Sequence, residues 1–195
     1  MKDVVNGPLQ GDELLSHRSL NQRTIREPVY GIGIGVHSGE KVRITLRPAK
    51  PNVGICFLRT DVTGAAVIPA SAEHVADTTL ATSIAHGSVS VATVEHLMSA
   101  LWGLGIDNLL VELSAEEVPI MDGSAAPFID MIESVGVVEQ SQARQFIRIT
   151  RKIEVNQEDA VASVAPYDGF KAGYTFVANH PVYDQYPKYI EMDFA

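Results

Sequence analysis

Five apolar residues, Val94, Leu97, Met98, Leu101 and Leu104, recur at helical spacing within Thr93-Val94-Glu95-His96-Leu97-Met98-Ser99-Ala100-Leu101-Trp102-Gly103-Leu104. At about 100° per residue they cover little more than a third of a helix's circumference, and that face has to be buried. Thr93, a good capping residue, is expected to begin the helix. The opposite face carries Glu95, His96, Ser99, Ala100 and Gly103, where a solvated face would carry Lys, Arg, Glu or Gln. Small residues around an adjacent Glu-His pair predict that a metal, a substrate or another domain comes close. Two readings stand at this point. In one, His96 is a polar residue against a neighbouring element and Glu95 a partner of the helix dipole. In the other, His96 ligates a metal and Glu95 is the general base that deprotonates metal-bound water. Adjacent helical residues point about 100° apart, so they flank an ion rather than both bind it.

A chain of 195 residues with 46% hydrophobic content suits one large domain, or one and a half small ones, with a real core. Its net charge of −9 argues against nucleic acid as a partner. There is no run of about 18 apolar residues to span a membrane, and the N-terminal residues lack the apolar stretch of a secretory signal. The lone cysteine, Cys56, excludes an internal disulfide framework and suits a reducing, cytoplasmic setting. Its apolar surroundings, Gly54-Ile55-Cys56-Phe57-Leu58, make it a buried strand residue rather than a nucleophile.

Residues 1–22 are polar and weakly patterned and read as a mobile extension. In Pro28–His37, glycines alternate with β-branched residues. A nucleotide-binding loop would need a helix next, but a turn and the alternating strand Val42-x-Ile44-x-Leu46 come instead, which makes a hairpin. Further strands are expected at Gly54–Arg59, Val67–Ile68, Thr78–Ile84, Val89–Val91 and, after the helix and its Gly105 stop, Leu109–Leu113. Val118–Ser124 reads as a turn. Ser124 is expected to cap a second helix with Phe128, Met131, Ile132 and Val135 inward, and Gly136 to end it. Glu139–Arg144 is the expected linker. Strands resume at Phe146–Val155, Val161–Ala165, Tyr174–Val177 and Tyr189–Phe194. The pattern predicts an α+β fold, a two-layer sandwich with helices on one face of a mostly antiparallel sheet. Residues 23–138 would complete that unit, with 139–144 a linker and 145–195 the strands of an incomplete second domain that lacks a covering layer.

Four motifs carry a family resemblance: Gly33-Ile34-Gly35-Val36-His37-Ser38-Gly39, Thr93-Val94-Glu95-His96-Leu97, Gly103-Leu104-Gly105-Ile106-Asp107-Asn108 and Pro119-Ile120-Met121-Asp122-Gly123-Ser124-Ala125. In this order and at about these spacings they resemble UDP-3-O-acyl-N-acetylglucosamine deacetylase, a zinc hydrolase of lipid A biosynthesis. Phe146-Ile147-Arg148-Ile149, Pro166–Phe170 and Asn179-His180-Pro181 extend the likeness over about residues 22–195. The resemblance implies two similar α+β domains, packed so that their helices face one another, with the site between them. It implies Zn2+ as cofactor with His96 as one ligand, Glu95 as the base of a water attack on the substrate acetamide, and a UDP-sugar acyl substrate. His37 lies in a motif near the site, where it either supports the loop or makes direct contact.

A catalytic zinc takes three protein ligands and keeps one position open. The family's other two ligands, a His and an Asp four apart on a helix, lie beyond residue 195 in the family pattern. His180-Pro181-Val182-Tyr183-Asp184 has the spacing but not the setting, since Pro181 disfavours an interior helical turn. His17, His74 and His86 are expected on solvated loops. The chain therefore reads as the N-terminal portion of the deacetylase, inactive by itself. The rival expectation is a non-catalytic assembly module whose open strand edges pair with a separate second-domain chain.

Overall fold

The computed structural model describes residues 20–158, 160–177, 181 and 189–194, and the chain divides into two compact units, Ser19–Arg144 and one containing Gln145–Ala195. The first unit runs β1 (Asn21–Ile25), β2 (Val29–Ile34), β3 (Lys41–Pro48), β4 (Ile55–Arg59), β5 (Ile68–Pro69), a 3-10 turn (Ala72–His74), β6 (Val75–Asp77), β7 (Ser83–His86), β8 (Val89–Val91), α1 (Glu95–Leu104), β9 (Leu109–Leu113), α2 (Ala126–Val135) and β10 (Val137–Ala143). Five strands make one sheet in the order β2-β3-β9-β4-β5, antiparallel except for the β4–β9 pair. A three-stranded antiparallel sheet, β6-β7-β8, and the pair β1-β10 complete the unit.

Two periodicities built this unit. In β3 the alternate residues Val42, Ile44 and Leu46 are buried while Lys41, Arg43 and Arg47 face water. Leu97, Ala100 and Leu101 of α1 and Phe128 and Ile132 of α2 join those strand residues, with Leu109, Val111 and Leu113 of β9, in one core. The helices thus cover one face of the sheet, which is the expected α+β architecture. Gly105, left-handed at φ 66°, ends α1, and Gly136, at φ 80°, ends α2. Ala100, which helical spacing placed on the outer face, is fully buried because α1 is covered on more than one side.

The glycines of β2 have a packing reason. A Cβ on Gly31 would sit 3.1 Å from Met131 Sδ, and one on Gly33 would sit 2.7 Å from Pro119 Cβ. At Gly33 the turn after β9 leaves room only for hydrogen, whereas at Gly31 the flexible end of Met131 on α2 would have to give way. Cys56 is buried in β4, its thiol reaching the Val53 carbonyl at 3.6 Å. Burial pushes that thiol above its ordinary range, the opposite of what a nucleophile needs.

Several sequence expectations need correction. Glu139–Ala143 is not a linker but the body of β10, paired antiparallel with β1. Residues 21–22 belong to β1 rather than to an N-terminal extension, and residues 1–19 lie outside the described residues. The pairing is reinforced by Asn108, whose Nδ2 donates to Gln22 Oε1 at 2.8 Å and Gln140 Oε1 at 2.7 Å, and whose Oδ1 accepts the Gly54 amide at 2.9 Å. The strand expected over Thr78–Ile84 shrinks to β7, because Asp77 Oδ1 accepts the Thr79 amide at 3.1 Å and its hydroxyl at 2.7 Å and turns the chain.

In the second unit β11 (Ile153–Gln157) pairs with β12 (Ala160–Val164), and β13 (Lys171–Thr175) with β14 (Tyr189–Asp193), both antiparallel. The strand expected from Phe146 therefore starts only at Ile153. Every residue of these four strands whose burial is described is exposed.

Candidate functional site

Glu95 and His96 form the first turn of α1, and both are half-buried. The chain reaches them through an unusual joint. Thr93 does not cap the helix; Val94 takes that position, and Thr93 sits in the left-handed region at φ 59°. A β-branched residue is a marked outlier there. Its hydroxyl points away from the helix and donates to Glu117 Oε1 at 2.8 Å. The flanking residues are pinned as well. Ala92 bridges to the segment 116–118, with its amide 2.9 Å from the Glu116 carbonyl, and the Val94 amide donates to the Thr82 carbonyl at 3.2 Å.

Glu95 lines an open, mainly apolar cleft of about 370 Å3 between α1 and the β6-β7-β8 sheet, shared with Ser71, Val75, Thr82, Ile84 and Met98. Its Oε2 accepts the Thr82 amide at 3.1 Å, which anchors the carboxylate at the cleft wall. A carboxylate held in this way accepts protons and hydrogen bonds. The larger hollow, about 400 Å3, lies on the solvent side of the main sheet. It is made from outward strand positions, where Arg47 pairs with Glu112 at 2.8 Å and Arg43 stacks over Tyr30 at 4.6 Å. It holds neither Glu95 nor His96; the cleft is lined by Glu95, and His96 does not line it.

His37 does not line the cleft. It is exposed in the turn between β2 and β3, and its backbone amide points to the Glu117 carboxylate at 3.2 Å. Ser38 gives Glu117 Oε2 two more bonds, from its amide at 2.9 Å and its hydroxyl at 2.8 Å. Glu117 is only 3% exposed and is the feature that sequence reasoning missed. The one available signal was the acid pair Glu116-Glu117 between the apolar Ala115 and Val118, of which Glu116 is exposed and Glu117 buried. Burial raises its carboxyl, but the donations from Ser38, Thr93 and His37 outweigh that and hold it below the usual carboxylate range.

His86 is exposed as expected, though at the end of β7 rather than in a loop, and it stands edge-to-face with the half-buried His74 of the 3-10 turn, ring centroids 5.7 Å apart. His17 and His180 lie outside the described residues. Among the described residues no three His, Cys, Asp or Glu side chains converge on a common point. His96 is one nitrogen donor with a carboxylate beside it, which is less than the three protein ligands a catalytic zinc requires. These residues do not by themselves make a complete zinc site.

Other members of the four motifs serve as supports. Asp107 Oδ2 accepts the Arg23 amide at 2.7 Å and pairs with Arg144 at 2.9 Å, fixing the exit of α1. Asp122 Oδ1 accepts the Ser124 amide and hydroxyl, and Ser124 Oγ in turn accepts the Ala126 amide at 3.1 Å where α2 begins.

Curated relatives named UDP-3-O-acyl-N-acetylglucosamine deacetylase are similar to this chain. The protein of Chromohalobacter salexigens is 50% identical over 176 residues, 90% of this chain and 58% of that protein. That of Xylella fastidiosa is 49% identical over 174 residues, covering 89% and 57%, and that of Coxiella burnetii 45% over 176 residues, covering 90% and 58%. The chain therefore spans less than two thirds of the length of these relatives. Residues 22–195 match the family described as LpxC, UDP-3-O-acyl N-acetylglycosamine deacetylase, and with the Glu-His helix and its supporting turns in place the chain belongs to that family.

Proposed function

We propose that the whole protein represented by this chain hydrolyses the 2-acetamido group of UDP-3-O-acyl-N-acetylglucosamine to a free amine and acetate, in lipid A biosynthesis. The observation that supports this most is the Glu95–His96 pair at the start of α1, its carboxylate on an open cleft, in a chain of this family. In this reading Glu95 takes the proton of the attacking water and later delivers it to the leaving amine. His96 gives one nitrogen to a zinc ion whose other ligands come from outside the described residues. When bound, zinc would lower the pKa of its water toward ~7 and polarise the carbonyl. The His37 turn supports the site through its backbone. A cytoplasmic setting belongs to the same reading, supported by the single buried Cys56; no helix of the described residues is long and apolar enough to cross a membrane.

The test uses the full-length protein. Glu95→Gln should lower kcat by about 10²–10⁴-fold while zinc content is kept. His96→Ala should lose zinc. The 195-residue chain by itself should hold zinc weakly and turn over little. Stoichiometric, tight zinc with normal turnover in that chain would overturn the ligand assignment.

A second reading rests on the exposure of β11–β14, which include Val155, Val161, Tyr174 and Ile190. These strands would pair with a separate second-domain chain, making this one an assembly module. Light scattering decides between them: a monodisperse complex favours the module, and a lone chain that aggregates removes it.

A further inference from the structure

We propose that Glu117 is a positioning residue: its buried carboxylate holds Thr93 in its left-handed conformation and the His37–Ser38 turn beside it, and so fixes where the first turn of α1 places Glu95 and His96. The inference rests on the roles proposed above for those two residues.

The first observation is the donor set. Four groups from two distant segments, the His37 amide, the Ser38 amide and hydroxyl and the Thr93 hydroxyl, converge on one carboxylate at 2.8–3.2 Å. Among the described residues no cation pairs with Glu117, so these donors alone compensate its removal from water. An ionised carboxylate is acceptor-only and suits four donors; a glutamine would turn its own NH2 toward one of them.

The second is the joint itself. A β-branched residue at positive φ is strained and persists only where its surroundings over-determine it. Ala92 and Val94 are tied by backbone bonds, and Thr93 between them is tied by its hydroxyl alone to Glu117. The Val94 carbonyl then accepts the Met98 amide at 2.9 Å, so the helix begins from this joint. The third is the absence of space. A Cβ on Gly35 would lie 2.3 Å from Glu117 Oε2 and 2.2 Å from Ser38 Oγ, so the turn closes directly on the carboxylate.

The experiment is amide NMR of the 195-residue chain. In Glu117→Gln the His37 and Ser38 amides should exchange about tenfold faster. The Glu95 and His96 amide resonances should shift, while those of Ile44 and Ile132 in the core stay in place. Adding Thr93→Gly, which adopts positive φ without strain, should return the Glu95 and His96 resonances toward their original positions but leave His37 and Ser38 unprotected. If Glu117→Gln does not fold, Thr93→Val supplies the reading, since it keeps the branched shape and removes only the hydroxyl. It should displace the same two resonances. Glu95 and His96 resonances unmoved in the folded variants, or no recovery with glycine, would overturn the proposal. None of these readouts needs zinc or turnover, so failure of the deacetylase reading would be seen separately, in the zinc and turnover assays of the full-length protein.

Discussion

Single atoms decide how closely the motif segments approach one another. At Gly33 a methyl group would meet the Pro119 ring carbon at 2.7 Å, and neither backbone nor ring can yield. Gly33→Ala should therefore cost about 1–3 kcal/mol, in the range of core overpacking. Gly31→Ala meets only the flexible end of Met131 at 3.1 Å and should cost clearly less; urea unfolding of both variants checks the order. Glu117 sets a pH dependence whose sign is given by its partners. Its carboxyl is held below the usual range in the fold, so its contribution is complete above the unfolded value of about 4.3 and is lost as pH falls through the lower, folded value. Thermal midpoints measured from pH 7 to pH 3 should drop more steeply below about pH 4.3 in the parent chain than in Glu117→Gln. Equal slopes would show that the carboxylate carries no such linkage.

Among elements, the β1–β10 pair depends on polar contacts more than on its own sequence. Gln140, half-buried in β10, donates to the Ala49 carbonyl at 2.8 Å, and Gln22 of β1 donates to the Ala143 carbonyl at 3.0 Å. Asn108, 1% exposed, joins both glutamines. Asn108→Ala leaves the Gly54 amide without its partner and both glutamine oxygens short of a donor, a loss of about 2–3 kcal/mol. Hydrogen exchange should show β1 and β10 opening first, with β3 and β9 still protected. The helices differ in kind from this pair. Their apolar periodicity was visible in the residues, and the sandwich of α1 and α2 on one sheet face came from it.

For the molecule as a whole, the division after Arg144 is the main organising fact. Residues 144–150 have no regular structure, and Arg148, Arg151 and Lys152 are exposed in and just after that stretch. Brief trypsin digestion should cut first at one of these, leaving a fragment that keeps the thermal transition of Ser19–Arg144. A fragment that unfolds on cleavage would show that the first unit depends on the second for its stability. The sequence by itself determined the alternation of β3, the buried faces of both helices, the glycine stops and the four motifs that mark the family, because each is written in neighbouring residues. Tertiary structure decided that Glu139–Ala143 is a strand, that Thr93 is a strained joint rather than a cap, and that Glu117 ties two motifs together. Those outcomes turn on partners 24, 80 and 121 residues apart in the chain, and the partner of a polar group at such distance has no local periodicity to announce it.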